Sequence, residues 1–156
     1  MKIKNPKLLI SLIAINQIAG FVGSIFTTNS IPTWYASLNK PPFNPPNWIF
    51  GPVWITLYTL MGISIYLIFT SKSKQKKSLI VLYFVHLAVN TTWSVVFFGL
   101  QDVLLALITI SLLWGMIAIL VFKFYKINEN AAYLLIPYLT WVSFATILNY
   151  NIWLLN

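Results

Sequence analysis

Five long apolar stretches separated by short polar ones dominate the chain, at about Leu8 to Phe26, Trp48 to Phe69, Leu79 to Leu100, Val103 to Phe124 and Ala131 to Trp153. Each is close to the roughly 20 residues that a helix needs to cross the hydrocarbon core of a bilayer. They are too long and too uniformly apolar for the alternating strands of a membrane barrel, and lipid offers no partner to an unpaired backbone group. Each therefore predicts a transmembrane α-helix. The expected fold is all-α and integral to the membrane, a five-helix bundle forming one domain over residues 1–156. Pro52 falls in the first turns of span two, where a missing donor costs little, whereas Pro137 lies inside span five and predicts a kink.

Composition agrees with this pattern. The chain is 59% hydrophobic and carries ten lysines, no arginine and two acidic residues, too few charges to cover a soluble globule. The net charge of +8 does not point to nucleic acid, because the lysines lie between the hydrophobic runs instead of along one face. Lys2, Lys4 and Lys7 before the first run resemble a secretory signal, but no small-x-small cleavage site follows and the run is long for one, so it is expected to be retained. Five spans place the N-terminal tail, the Ser71 to Ser78 loop and the Lys123 to Asn130 loop on one side, and these hold nine of the ten lysines. The opposite side holds only Lys40. By the positive-inside rule the N-terminus is cytoplasmic and the C-terminus outside.

Polar residues within the spans are few: Asn16, Gln17, Thr56, Tyr58, His86, Asn90 to Ser94, Thr140, Ser143 and Asn149. No carboxylate sits at mid-depth, which argues against a proton- or cation-coupled carrier. Amides and hydroxyls leave two readings open: hydrogen bonds between helices, or the few orienting contacts of a largely apolar pocket. His86, the only histidine, reads as a packing residue, a haem ligand or an interfacial group. Without cysteine, a second histidine or a carboxylate pair, no metal site or nucleophile–base dyad can be assembled. Tryptophan remains. Asn90 and Trp93, at i and i+3, share a helix face, as do Pro137 and Trp141 at i and i+4. With Trp54 these indoles are either packing or flat walls for a planar ligand.

The least ordinary segment is Ile31 to Pro52, IPTWYASLNKPPFNPPNWIFGP. Its prolines stiffen the backbone and predict a rigid, non-helical cover over one end of the bundle, holding Trp34 and Tyr35; it is either a lid or a plain connector. Trp34, Tyr35, Trp48, Tyr125, Tyr150 and Trp153 also fit an aromatic belt at the headgroup level. Ala19-x-x-x-Gly23 offers a small-residue face, either for a second copy or for two helices of one chain.

These motifs resemble those of the translocator protein family, called TspO in bacteria and formerly the peripheral benzodiazepine receptor in animals. The likeness is carried by Trp34-Tyr35-x-x-Leu38-x-Lys40-Pro41-x-Phe43-x-Pro45-Pro46, Gly51-Pro52-Val53-Trp54-x-x-Leu57-Tyr58-x-x-Met61-Gly62, Asn90-x-x-Trp93, Phe97-Phe98-Gly99, Pro137-Tyr138-x-x-Trp141 and Leu148-Asn149. The resemblance implies a five-helix bundle, commonly a homodimer, with a pocket under the first loop. It implies ligands rather than a required cofactor: tetrapyrroles such as protoporphyrin IX and haem, isoquinoline carboxamides and benzodiazepines, and cholesterol in animal members. By the same resemblance Tyr35, Trp54, Asn90, Trp93, Trp141, Phe144 and Ala145 would line or cap the pocket, and Trp54 and Trp141 would take part in light-dependent porphyrin degradation. The sterol pattern of the last helix departs from the animal form: Leu148-Asn149-Tyr150-Asn151-Ile152-Trp153 is followed by Leu154-Leu155-Asn156, with no closing Lys or Arg. That favours a bacterial-type member, in the bacterial cytoplasmic membrane, with doubtful cholesterol binding. The expected function is tetrapyrrole binding in homeostasis or stress signalling, against a transporter of porphyrins or other amphipathic molecules, or a ligand-controlled receptor.

The lysine asymmetry predicts that cysteines introduced singly at Ser73 and Asn29 react with an impermeant thiol reagent from opposite faces of sealed vesicles, Ser73 from the cytoplasmic side. Labelling of both from one face would refute the five-span topology.

Overall fold

The structure, a computed structural model, describes residues 3–156. Lys2, counted above with the N-terminal lysines, lies outside the described residues. The helices are α1 (Pro6–Ser30), α2 (Trp34–Ser37), α3 (Phe50–Phe69), α4 (Lys76–Ser94), α5 (Val103–Tyr125), α6 (Glu129–Tyr133) and α7 (Ile136–Leu155), with a 3-10 turn at Asn47–Ile49 and a π-helical turn at Val95–Gly99. Five segments are long and apolar enough to cross a membrane: Pro6–Ser30, Asn47–Phe69, Lys76–Gly99, Val103–Tyr125 and Glu129–Leu155. The protein is an integral membrane protein of five helical spans.

Local chemistry sets the helix ends. Asn5 caps α1, its side-chain oxygen accepting from the Leu8 N–H at 3.1 Å, with Pro6 following in the first turn. The helix runs four residues beyond Phe26. Thr27 and Thr28 return their hydroxyls to the carbonyls of Gly23 and Ser24, at 3.1 and 2.8 Å, which lets the polar turn stay helical. Asp102 caps α5 through the Leu105 N–H and Asn128 caps α6 through the Ala131 N–H. Two irregularities depart from five plain helices. Span three ends in the π turn, where the Leu100 N–H reaches back to the Val95 carbonyl at 2.8 Å, and Gln101 then takes a left-handed conformation with φ 58°. Span five is divided at Leu134–Leu135; Pro137 sits in the first turn of α7, where its absent N–H cannot support helix continuation from α6. The kink expected inside span five is thus a break just upstream of the proline.

The helices pack as a ring: α1 lies between α3 and α4, α5 between α4 and the α6–α7 pair, and α6 closes back on α3. The dense core occupies the lysine-rich end, where Met61, Ile65, Tyr66, Tyr83, Ile117, Leu120, Phe124 and Leu135 are sealed from solvent. Ser64 ties α3 to α6 by donating to the Ala131 carbonyl at 2.6 Å. Outward faces are apolar, as lipid requires: Ile10, Ile18 and Ile25 on α1, and Ile108, Leu112 and Phe122 on α5, are all exposed. The small-residue face of α1 is used within the chain. A Cβ at Gly23 would meet Ser94 at 3.0 Å, and the Ala19 carbonyl accepts from the Thr91 hydroxyl at 3.4 Å.

The closest approach of a glycine to another helix's backbone is at Gly62, where a Cβ would stand 2.6 Å from the Cα of Ile13. Backbone cannot yield as a side chain can. Gly62→Ala is therefore expected to lower stability by about 1–3 kcal/mol in detergent-based thermal unfolding, the usual cost of overpacking. Gly115→Ala on α5, where a Cβ meets nothing within 4 Å, is the control and should leave stability unchanged or slightly raised.

Candidate functional site

Above the core, at the opposite end of the bundle, the ring encloses a cavity of about 760 Å³ bounded by α1, α3, α4 with its π turn, α7 and the first loop. This volume is within the range of small-molecule sites. Its walls are aromatic: Trp54 from α3, Trp93 from α4, Trp141 from α7, and Phe50, Phe97 and Phe98 between them. The rings brace one another. Trp54 stacks on Tyr58 at 5.5 Å between centroids, Trp93 on Phe97 at 5.5 Å, and Trp141 meets Phe50 edge-on at 6.1 Å. Trp93 also donates its indole N–H to Asn149 at 3.3 Å, while the Asn149 amide donates to the Val103 carbonyl at 3.0 Å. The π turn brings Phe97 and Phe98 to this wall.

The first loop covers the cavity, with Tyr35 beneath it only 3% exposed. The cover is not wholly non-helical as the prolines suggested: it contains α2 and the 3-10 turn, and polar contacts hold it as well. The Tyr35 hydroxyl donates to Asn44 at 2.6 Å. Lys40 curls back so that its ammonium donates to the carbonyls of Tyr35, Leu38 and Ala36 at 2.7, 2.8 and 3.2 Å, and stands 5.0 Å from the Tyr35 ring centre. It caps the short helix, a structural reason for the one lysine on this side. Burial pushes the Tyr35 phenol up to about 12, with the Asn44 hydrogen bond pulling the other way. Asn39 and Asn156 then pin the loop to the end of α7: the Asn39 N–H donates to Asn156 Oδ1, and Asn156 Nδ2 to the Asn39 carbonyl, both at 3.0 Å.

The cavity is open to the side. Its lining residues on α4 and α7 are buried or half-buried, but Phe21, Ser24 and Thr28 of α1, Trp48 of the 3-10 turn, and Gly51 and Ile55 at the start of α3 are exposed. Helices α1 and α3 touch at Gly62 and are clasped by Gln17, whose amide donates to the Ile55 carbonyl at 2.9 Å and to the Thr59 hydroxyl at 3.0 Å. Beyond that clasp the exposed lining residues of α1 and α3 leave a gap on the outer side of the bundle.

Of the residues singled out from the sequence, Tyr35, Trp54, Trp93, Trp141 and Ala145 line the cavity. Two do not. Asn90 lies one turn below Trp93, 2% exposed, accepting from the Tyr58 hydroxyl at 2.6 Å and donating to the Tyr138 oxygen at 2.9 Å. Its amide is satisfied beneath the floor instead of facing the space. Phe144 stands behind Trp141, 5.6 Å away, and in front of Phe43. His86 is also outside the cavity. It is fully buried, with Nδ1 2.9 Å from the Tyr83 carbonyl and Nε2 3.1 Å from the Tyr138 hydroxyl, the packing position and not that of a cavity haem ligand. Sequence reasoning named Tyr58 only among the polar groups within the spans and passed over Gly20; together they form the floor, where a Cβ at Gly20 would collide with the Tyr58 ring. The signal was present, since a glycine inside an apolar helix often marks a close approach.

Comparison with known proteins agrees on one family. The sequence model of the TspO/MBR family matches residues 12–154. Similar relatives include the tryptophan-rich protein TspO of Archaeoglobus fulgidus, 43% identical over 150 residues, which are 96% of this chain and 97% of that one. The translocator protein of Bos taurus is 40% identical over 140 residues, covering 88% of this chain and 83% of its own. Protein CrtK of Rhodobacter capsulatus is 36% identical over 140 residues, covering 88% and 86%.

If Lys40 rather than proline stiffness alone orders the loop, Lys40→Met should raise amide hydrogen exchange across residues 34–45 by roughly tenfold, the effect of losing about 1.4 kcal/mol of charge-assisted bonding. Protection in α1 and α5 should be unchanged. Equal protection in the variant would assign the order to the prolines.

Proposed function

The chain belongs to the TspO/MBR family, and on that footing we propose that it binds a tetrapyrrole, protoporphyrin IX or haem, in the cavity beneath the first loop, in a role in tetrapyrrole homeostasis or stress signalling. Light-dependent degradation of protoporphyrin IX is part of the proposal. The observation that carries it is the set of three indoles, with Phe50, Phe97 and Phe98, arranged around one broad apolar space. Such walls suit the faces of a planar macrocycle. The fit is to the ring and not to an axial iron ligand, because the sole histidine is engaged with Tyr83 and Tyr138 below the floor.

Bound porphyrin would supply the absorption of light. What the chain contributes is position and an electron source. Trp54 and Trp141 present indole, the most readily oxidised of the large aromatic side chains, at the cavity wall, and the pinned loop keeps bulk water from that end. The proposed setting is a cytoplasmic membrane of bacterial type, with the lysine-rich end facing the cytoplasm and the chain paired as a homodimer. Isoquinoline carboxamides and benzodiazepines would use the same aromatic space. Cholesterol is expected to bind weakly, since no basic residue closes the last-helix pattern.

A second reading has its own support. The gap between α1 and α3 would let an amphipathic molecule pass between cavity and lipid, which favours a carrier of porphyrins or similar compounds. Turnover under light, compared with flux into proteoliposomes, separates the two.

Protoporphyrin IX should quench the protein's tryptophan fluorescence saturably, and illumination should then consume it faster than in protein-free micelles. Trp54→Phe or Trp141→Phe should slow that loss by roughly tenfold while changing affinity by no more than about threefold. Absence of saturable binding would remove the tetrapyrrole assignment, and a parent no faster than micelles would remove the photochemical one.

A further inference from the structure

Below the cavity floor runs a chain of side-chain hydrogen bonds from α3 through α4 to α7. Its polarity can be worked out atom by atom. His86 Nδ1 faces the Tyr83 carbonyl at 2.9 Å, and a carbonyl can only accept, so the ring proton is on Nδ1. Nε2 is then bare, and its 3.1 Å contact with Tyr138 is the phenol donating to the imidazole. With that hydrogen committed, the Tyr138 oxygen accepts from Asn90 Nδ2 at 2.9 Å, which turns Asn90 Oδ1 toward Tyr58 to accept its hydroxyl at 2.6 Å.

Two phenols therefore adjoin Trp54, and they differ in one respect. Tyr58 stacks against the indole at 5.5 Å but gives its hydrogen to an amide oxygen, which is not a useful base. Tyr138 meets the same indole edge-on at 6.2 Å between centroids and gives its hydrogen to an imidazole nitrogen. A phenol that loses an electron must also shed its proton, so only Tyr138 is placed to be oxidised. We propose that Tyr138 and His86 form a proton-coupled electron relay behind Trp54, a role that rests on the photochemical reading of the cavity.

The step balances within named groups. One electron passes from the Trp54 indole to the light-excited porphyrin, the oxidant. Tyr138 returns one electron to the oxidised indole, and its phenolic proton moves along the existing hydrogen bond to His86 Nε2. Trp54 is restored, and the products are a neutral tyrosyl radical and an imidazolium. The positive charge has moved from the indole to His86, away from the cavity. Both Tyr138 and His86 are fully buried, so the proton stays beside the phenol and is available when the radical is reduced again. Tyr138 and His86 act through Trp54 and are positioning residues rather than catalytic ones.

The test uses the parent protein in detergent and the variants Trp54→Phe, Tyr138→Phe and His86→Gln, with circular dichroism to verify helicity. Gln can still accept from Tyr138 but does not take the proton. Each is oxidised in two arms: illumination with bound protoporphyrin IX, and, without porphyrin, flash oxidation by a ruthenium tris-bipyridine sensitiser with an electron-accepting quencher. Electron paramagnetic resonance on frozen samples separates tyrosyl from tryptophanyl radicals. The expected result is a tyrosyl component in the parent that is lost in all three variants, with the tryptophanyl signal kept in Tyr138→Phe and His86→Gln. A tyrosyl component unchanged by Tyr138→Phe or by His86→Gln overturns the relay, as does its absence from the sensitiser arm. Should either variant fail to fold, the other decides. A Tyr138-dependent signal in the sensitiser arm with no radical in the porphyrin arm would uphold the relay and remove the photochemical reading of the cavity.

Discussion

Asn90 joins three of the five spans beneath the cavity. Its oxygen holds the Tyr58 hydroxyl of α3 and its nitrogen the Tyr138 oxygen of α7, while its own backbone belongs to α4. In a bundle surrounded by lipid, every one of these groups would be costly if left alone, since nothing outside the protein can satisfy it. Together they satisfy one another completely, and the aromatic rings that carry the hydroxyls are thereby fixed in rotation. The cavity floor is the upper surface of that junction, and the sealed core is what lies below it. The shape of the space depends on this seam of neutral polar atoms as well as on the walls.

The spans were legible because transfer of apolar side chains into lipid depends on little besides length and composition, and the residues between them are too polar to be mistaken for more of the same. Not legible in the residues were the places where backbone hydrogen bonding changes register. The π turn at Val95–Gly99 carries no residue that demands it; Val, Phe and Gly are ordinary in a membrane helix, and the wider turn sets Phe97 against Trp34 and Trp93 and Phe98 against Tyr35. Pro137 announced an interruption, but its effect falls on the turn before it, through the N–H it lacks.

At the site, periodicity put Trp93 and Asn90 on one helix face, yet could not say which of the two stands at the level of the cavity and which beneath it. Depth along a helix depends on what the neighbouring helices offer, and here Tyr58 and Tyr138 claim the amide. The loop shows the same limit from the other direction. Proline content advertised stiffness, while the contacts that seat it, Lys40 on three carbonyls and Asn39 against Asn156, join residues whose pairing is invisible before folding.

The gap between α1 and α3 changes what concentration means for this protein. A molecule reaching the cavity by that route comes from the acyl-chain phase, so occupancy follows its mole fraction in the bilayer and not its amount dissolved in water. Partitioning then acts as a first selection step, enriching hydrophobic candidates before any side chain distinguishes them. Lipids would compete for the same entrance by sheer abundance. Apparent affinities in detergent would scale with the volume of the micellar phase, and a cell could alter occupancy by remodelling its membrane with the protein unchanged.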